Sequence, residues 1–334
     1  MRQGKVSESI LKRSVLNEIR NKDASVLIGP GIGQDAAVVS SSDYTVVATT
    51  TYTMDTEYAA YYAVTRVAGD LACKGGRLSH VTCNLTFPTK FDEKRLKAIV
   101  RQLRDTLASY GASIVGGHTE ISEAVISPIL VVTGMGPAIH KDQLQTSKHH
   151  HQVQEGDEIL LSKWLGMEGA CLALAYEKEA LWERFPKKFC EQVERYREYL
   201  SIQEEAEISL AHGAKYLHNL SAGGIFEGLW DLSVACNCGI TVDMKSFPMK
   251  QEMIEICDYL GLNIYRIFSG GSLLCVASPT SGVKEALMES EIPIRVIGTI
   301  TASNDKLIVN EDECRYLEVQ NRDDFWSLLD GQKI

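Results

Sequence analysis

The chain has 334 residues, 45% of them hydrophobic and 23% charged, a globular composition whose length predicts two domains of roughly 150 residues each. Its 44 acidic residues outnumber 34 basic ones, for a net charge of −10, and no basic block stands out; this excludes a nucleic-acid partner, because phosphate backbones require clustered Lys and Arg. No apolar run is long enough to span a membrane, and Met1-Arg2-Gln3-Gly4-Lys5 leads directly into a polar amphipathic helix, so the expectation is a cytoplasmic protein with neither signal peptide nor membrane partner.

In chain order, Ile10, Leu11, Val15, Leu16 and Ile19 recur at helical spacing over residues 7–20. A glycine-rich stretch at 29–33 precedes the apolar run Ala36-Ala37-Val38-Val39; after a Ser-Ser-Asp turn, the β-branched run 45–50 reads as a strand. Residues 57–73 place Ala60, Val64, Val67, Ala68 and Leu71 on one helical face, and Gly75-Gly76 is the stop. Residues 78–87 alternate, with Val81, Cys83, Leu85 and Phe87 on one side and His80, Thr82, Asn84 and Thr86 on the other. That is a half-buried strand whose apolar face needs a cover. A helix over 92–110 follows on Leu96, Ile99, Val100, Leu103 and Leu107, closed by Gly111. Residues 113–115 read as a short strand, Gly116-Gly117-His118-Thr119-Glu120 as the loop after it, and 126–134 as another strand.

The polar stretch 140–157 carries His149-His150-His151, read as a solvated linker, and the domain boundary falls there, giving domains 1–148 and 149–334. The second half repeats the mixed pattern, with strands at 158–162, 240–244, 272–278, 292–300 and 306–309. Its helices are expected near 168–180, 187–199, 202–214, 224–236, 250–260 and 281–289. Nine scattered cysteines read as reduced, mostly buried thiols, and the close pair Cys236-Asn237-Cys238 as packing at a helix end.

Several segments set polar residues beside glycines at element ends. In Gly31-Ile32-Gly33-Gln34-Asp35-Ala36-Ala37 the glycines permit close backbone approach and Asp35 offers a hard oxygen to a cation, although a plain turn before a strand has the same look. Asp70 lies inside the apolar helix, where an acid must be paired, metal-bound or at a helix edge. Gly116, Gly117, His118, Thr119 and Glu120 combine two glycines with an imidazole, a hydroxyl and a carboxylate, more polar chemistry than a turn requires. Asn219-Leu220-Ser221-Ala222-Gly223-Gly224 precedes an apolar helix, so its N–H groups suit a phosphate; an ordinary Ser-capped helix start fits equally.

Taken in order, Gly-x-Gly-x-Asp-Ala-Ala at Gly31–Ala37, Asp-Leu-Ala at Asp70, Gly-Gly-His-Thr-Glu at Gly116, then Gly156-Asp157-Glu158-Ile159-Leu160-Leu161-Ser162, the run from Ser221 to Gly239-Ile240 and Gly270-Gly271-Ser272 resemble the HypE-like, hydrogenase-maturation branch of the aminoimidazole ribonucleotide (AIR) synthase-related superfamily. The resemblance covers nearly the whole chain. It implies a two-domain AIR synthase-like fold of mixed α/β and α+β character, whose N-terminal domain pairs with its twin in a homodimer to form an intersubunit β-barrel. It also implies ATP with Mg2+ and phosphorylation of a substrate oxygen on an unknown small molecule or protein-borne group. On this reading Asp35 and Asp70 hold the metal; Gly31, Gly33, Gly116, Gly117, Asn219, Ser221, Gly223 and Gly224 bind the cofactor; His118 and Glu120 are catalytic.

The chain departs from the branch at named positions. Relatives commonly have Thr-Asp where this chain has Thr50-Thr51, with Asp55 the nearest acid; Gly69 and Asn219 replace a frequent Asn and Asp, and Ala222 a charged residue. The branch's Pro-Arg-Ile-Cys tail, whose thiol carries the carbamoyl group, has no counterpart in Asp330-Gly331-Gln332-Lys333-Ile334, so carbamoyl-to-cyanide chemistry is not expected. Two rivals to the enzyme reading follow: a nucleotide-binding assembly protein with lost or partner-dependent turnover, and a sugar- or thiamine-phosphate kinase of the same superfamily.

Overall fold

The structure is a computed structural model that describes residues 8, 12, 26–28, 31–40, 44–89, 91–139, 141–150, 152–319 and 322–330. Apart from Glu8 and Lys12, the helix expected over 7–20 lies outside them. The described residues form two compact units: 26–28 with 35–144, and 31–34 with 145–330 and the two isolated positions. The glycine-rich turn at 31–34 therefore groups with the second half of the chain, not with the strand it introduces.

The first unit is a six-stranded sheet in the order β1-β2-β3-β6-β4-β5. Its strands are β1 (Val26–Ile28), β2 (Ala37–Ser40), β3 (Tyr44–Tyr52), β4 (His80–Pro88), β5 (Ser113–Ser122) and β6 (Ile129–Pro137). All neighbours pair antiparallel except β4 and β5. Alternation decides the faces: Val46, Ala48, Thr50 and Tyr52 of β3 and Val81, Cys83, Leu85 and Phe87 of β4 are buried, while Thr49, Thr51, His80 and Asn84 are exposed. Helix α1 (Ala59–Ala72) covers the buried face with Val64, Val67 and Leu71, and α2 (Glu93–Ser109) adds Ile99, Leu103 and Leu107, beginning where Asp92 accepts from the Lys94 N–H at 3.2 Å. Each such fully buried aliphatic side chain contributes roughly 1.5–3 kcal/mol. Gly76 ends the turn after α1 directly on β3, where a Cβ would lie 2.6 Å from that of Val46.

Two expectations change here. The apolar face of β4 is covered by the chain's own helices, so it does not call for a second subunit. Residues 113–122 are one continuous strand rather than a short strand and a loop, because pairing with β4 extends from His80↔Ser113 to Pro88↔Ser122, with a bulge at Val115.

The second unit is a seven-stranded sheet, β13-β12-β9-β11-β7-β10-β8. It comprises β7 (Glu158–Ser162), β8 (Tyr216–Asn219), β9 (Gly239–Asp243), β10 (Leu273–Ala277), β11 (Ile294–Thr301), β12 (Lys306–Asn310) and β13 (Glu313–Tyr316), with only β9 and β12 parallel. Its helices are α3 (Met167–Tyr176), α4 (Lys178–Arg184), α5 (Lys187–Arg195), α6 (Gln203–Ala211), α7 (Gly224–Cys236), α8 (Gln251–Leu260), α9 (Val283–Glu289) and α10 (Trp326–Asp330). The core gathers Ile159, Leu161, Tyr216, Leu229, Leu232, Ile240, Val242, Leu274 and Val276, with Cys236 inside it and Cys238 against it, as packing requires. The helix expected over 168–180 is two helices, and β8 and β13 were not foreseen. The histidine triplet is not a solvated linker: Ser147–His150 is a short helix, and buried His150 sits edge-on to Tyr216 at 5.2 Å between ring centres. His151 lies outside the described residues.

Candidate functional site

The glycine-rich turn is explained first by packing. Gly33 has φ +69°, and a Cβ there would lie 2.7 Å from the Asp231 carbonyl oxygen and 2.9 Å from the Ala235 Cβ of α7. The missing side chain lets the turn lie on a helix of its own unit, and Tyr216 Oη donates to the Gly33 carbonyl at 3.5 Å. At Gly31 an added Cβ would meet, among the described residues, only the flexible Gln34 side chain, at 3.1 Å. Asp35, two residues after Gly33, is half-buried where the first unit resumes.

Asp70 stands on α1, amid Val67, Ala68, Leu71 and Ala72, and is half-buried. Thr50 Oγ1, from the buried face of β3, donates to Asp70 Oδ2 at 3.4 Å. Asp70 thus belongs to the helix-covered side of the sheet. His118 and Glu120 belong to the other. Register sets Thr50, Val132, Cys83 and Gly117 in one row on the helix side, and Thr51, Val131, Asn84 and His118 in the adjacent row on the open side. His118 Nε2 and Glu120 Oε2 are 3.2 Å apart and their side chains remain 65% and 49% exposed. The sheet separates Asp70 from the His118–Glu120 pair, so within this unit the sequence-expected metal and catalytic residues do not form one constellation.

The two neighbouring glycines of β5 differ. Gly117 has φ +150°, and a Cβ would fall 2.0 Å from the Cys83 carbonyl oxygen, so the chain itself demands glycine. At Gly116 the nearest atom to a Cβ is Thr82 Cγ2 at 3.7 Å, ordinary contact. Asp55, the acid nearest in sequence to Thr50-Thr51, is held in an ion pair by Arg95. Among the described residues no three His, Cys, Asp or Glu side chains gather into a metal-holding group. Asp35 and Asp70 still have the donor chemistry for magnesium, which takes one or two carboxylates and completes its shell with phosphate oxygens and water.

In the second unit Asn219 ends β8, buried, opposite Leu273 of β10. Ser221, Gly223 and Gly224 make the turn into α7, with φ +82° and +63° at the glycines; a Cβ on Gly224 would lie 2.5 Å from the Tyr265 carbonyl oxygen. The Ser221 carbonyl accepts from Gly224 N at 3.3 Å and Ser269 N at 3.1 Å. The N–H that sequence offers to a phosphate is engaged: Gly223 N donates to Asp323 Oδ2 at 2.7 Å, while Phe325 N donates to Asp323 Oδ1 at 2.9 Å. Burial pushes the Asp323 carboxyl up, the two N–H donors pull it down and Glu168 and Asp324 push it up, with a net value of about 7. Glu168, also buried, occupies the space a side chain on Gly270 would need: that Cβ would lie 2.2 Å from Glu168 Oε2. Sequence reasoning missed both acids. The signal for Asp323 was Asp-x-Phe, an Asp whose side chain caps the backbone two residues on.

The AIR synthase related protein N-terminal domain profile matches residues 21–138, and the corresponding C-terminal domain profile matches 154–310. A hydrogenase expression/formation protein of Methanocaldococcus jannaschii is 23% identical over 321 residues, 92% of this chain and 91% of that protein. A thiamine-monophosphate kinase of Halobacterium salinarum is 24% identical over 295 residues, 84% of this chain and 91% of the kinase. The crystal structure of the hydrogenase maturation protein HypE in complex with ATP superposes with a TM-score of 0.72 at 19% identity, covering 97% of each chain, which establishes the shared fold. With both halves matched in order, the chain belongs to the AIR synthase related protein family.

Proposed function

We propose that this protein binds magnesium-ATP through its first domain and activates a substrate oxygen by phosphorylation. The observation that carries the reading is Asp70: a half-buried carboxylate on a mostly apolar helix, oriented by the Thr50 hydroxyl, with Asp35 in the same unit. A relative of the same fold has been solved with ATP, which supports the cofactor. Asp35 and Asp70 would hold the metal, which supplies neutralisation of phosphate charge. Thr50 fixes the Asp70 rotamer. Glu120 orients the His118 ring, and Gly116 leaves the strand surface beside it bare.

The second reading is a nucleotide-binding assembly protein whose turnover is lost or depends on a partner. It is favoured by the engagement of Asp55 with Arg95, by the uncharged Thr51, and by the Gly223 N–H already satisfied internally. The two separate in one assay. The purified chain is expected to bind ATP with magnesium but to hydrolyse it slowly alone; brisk turnover without a partner would favour the plain enzyme.

The same reading includes a homodimer, now for a reason different from the alternation of β4. Among the described residues, edge strand β5 has no partner on its outer side, and Ile114, Val115 and Ile121 on it are 40%, 56% and 54% exposed. A long apolar edge invites pairing with another chain, and a second copy there would also cover His118 and Glu120. Light scattering at roughly micromolar concentration, where interfaces of standard size persist, is expected to give twice the chain mass; a stable monomer would overturn this part.

A further inference from the structure

We propose that Cys236 and Cys238 form a redox-active dithiol, a site that reacts with a low-molecular-weight disulfide and closes reversibly into a ring around Asn237.

The backbone brings the two thiols together. Helix α7 ends at Cys236, and Asn237 follows in the left-handed conformation, with φ 50° and ψ 51°, which asparagine tolerates better than most residues. Asn237 N donates to the Val234 carbonyl at 3.4 Å and Cys238 N to the Ser233 carbonyl at 3.1 Å, the paired bonds of a Schellman helix end. Ser233 Oγ in turn donates to the Cys238 carbonyl at 2.5 Å. On the other side Gly239 is pressed against the turn before β12, where a Cβ would lie 2.3 Å from the Ser303 carbonyl oxygen. The left-handed residue shortens the span from Cys236 to Cys238 below the roughly 7 Å of extended chain, into the range of about 4.4–6.8 Å that disulfides bridge. The side chains already meet: the Cys236 thiol donates a hydrogen bond to the Cys238 sulfur.

The surroundings of the two sulfurs differ, and this assigns their roles. Cys236 is 8% exposed and lies inside the core, whereas Cys238 is half-buried against it. The hydrogen bond from Cys236 holds the Cys238 thiol below its ordinary range; burial opposes this, the Lys306 ammonium adds to it, and the Asp157 carboxylate opposes it. Lys306 pairs with Ile240 across β12 and β9, with its Nζ 4.8 Å from the centre of the Trp230 ring, and Asp157 is neutralised by Lys215 at 2.7 Å. Other thiols are of the opposite kind: burial pushes Cys83 up to about 11 and Cys257 and Cys275 up to about 12. Cys238 is therefore the attacking thiol and Cys236 the resolving one.

The chemistry balances. The Cys238 thiolate attacks one sulfur of the small disulfide; its S–S bond breaks, a mixed disulfide forms on Cys238, and one thiolate leaves with the electron pair. Cys236 then gives up its proton and attacks Cys238 Sγ, and the second thiolate leaves. The two departing thiolates take up the two protons lost by the cysteines, so the dithiol is oxidised by two electrons and the small disulfide is reduced to two thiols. Excess thiol runs both steps backwards. The pair stands at the opposite end of α7 from Gly223 and Gly224, and its reaction holds whether or not the first domain takes nucleotide.

Peptide mapping by mass spectrometry tests this on the folded full chain, reduced, treated with glutathione disulfide and then alkylated without reduction. In the wild type the peptide holding both cysteines is expected to be lighter by two hydrogens and unalkylated, and dithiothreitol should restore it. Cys236→Ser should stop the reaction at a mixed disulfide on Cys238. Cys314, exposed on β13, should carry a mixed disulfide in both proteins and so report that the reagent acted. Alkylation of both Cys236 and Cys238 in wild type while Cys314 is modified would overturn the proposal, as would a lasting mixed disulfide on wild-type Cys238 or a bridge from it to any other cysteine. Should the variant not fold, the wild-type map decides alone.

Discussion

Asp70→Asn is expected to weaken magnesium-dependent ATP binding by roughly ten- to a hundred-fold without unfolding the protein. A charge-assisted contact is worth about 1.5–3 kcal/mol, and about 1.4 kcal/mol is a factor of ten in affinity. The amide keeps an oxygen that still accepts from the Thr50 hydroxyl, so the local hydrogen bond survives. It also removes a charge from the apolar surface of α1, so the melting temperature should hold or rise slightly. Binding and stability therefore move independently, and a loss of binding is not a loss of fold. Asp35→Asn should act in the same sense. Glu183→Gln, at an exposed position on α4, should leave binding unchanged. Calorimetry with ATP and magnesium reads all three; equal binding by wild type and Asp70→Asn would make Asp70 a structural residue and move the metal site elsewhere.

What the sequence disclosed depended on how local the cause was. α2 was legible because its determinants sit within it: Asp92 caps the first turn, and Ile99, Leu103 and Leu107 repeat at helical spacing and are buried. β4 was legible because its side chains alternate over nine residues. β5 was not, because Gly-Gly-His-Thr-Glu carries no alternating apolar signal and becomes a strand only through its partner β4. The purpose of Gly33 was hidden for the same reason, since the backbone it must clear belongs to Asp231, far along the chain. Asp323 and Gly223 are 100 residues apart, and no local pattern links an acid near the end of the described chain to a helix start. The site residues were recognisable as a set of chemically apt types, yet the sheet that separates Asp70 from His118 could not be read from spacing, because it depends on strand register.

Gly117→Ala is expected to destabilise the first domain by about 3 kcal/mol or more, which for a domain of this size corresponds to a fall of roughly 10 °C in its melting transition. The methyl would be placed 2.0 Å from the Cys83 carbonyl oxygen and 2.9 Å from the Cys83 carbonyl carbon, with φ at +150°. Both atoms are backbone in the adjacent strand, so no side chain can swing away; the β4–β5 ladder must open locally or the strand must shift. Gly116→Ala is the paired measurement. Its methyl would meet only Thr82 Cγ2, at 3.7 Å, so stability should change by less than about 0.5 kcal/mol. The pair separates two reasons for a glycine within one motif: Gly117 is needed to pair the strands, whereas nothing among the described residues requires Gly116, which shares the open face with His118. If Gly116 is bare because a ligand or a second subunit approaches there, Gly116→Ala should lower nucleotide affinity or dimer stability while the melting curve stays in place. Equal destabilisation by the two substitutions would show that the whole dipeptide serves the fold and would remove Gly116 from the proposed site.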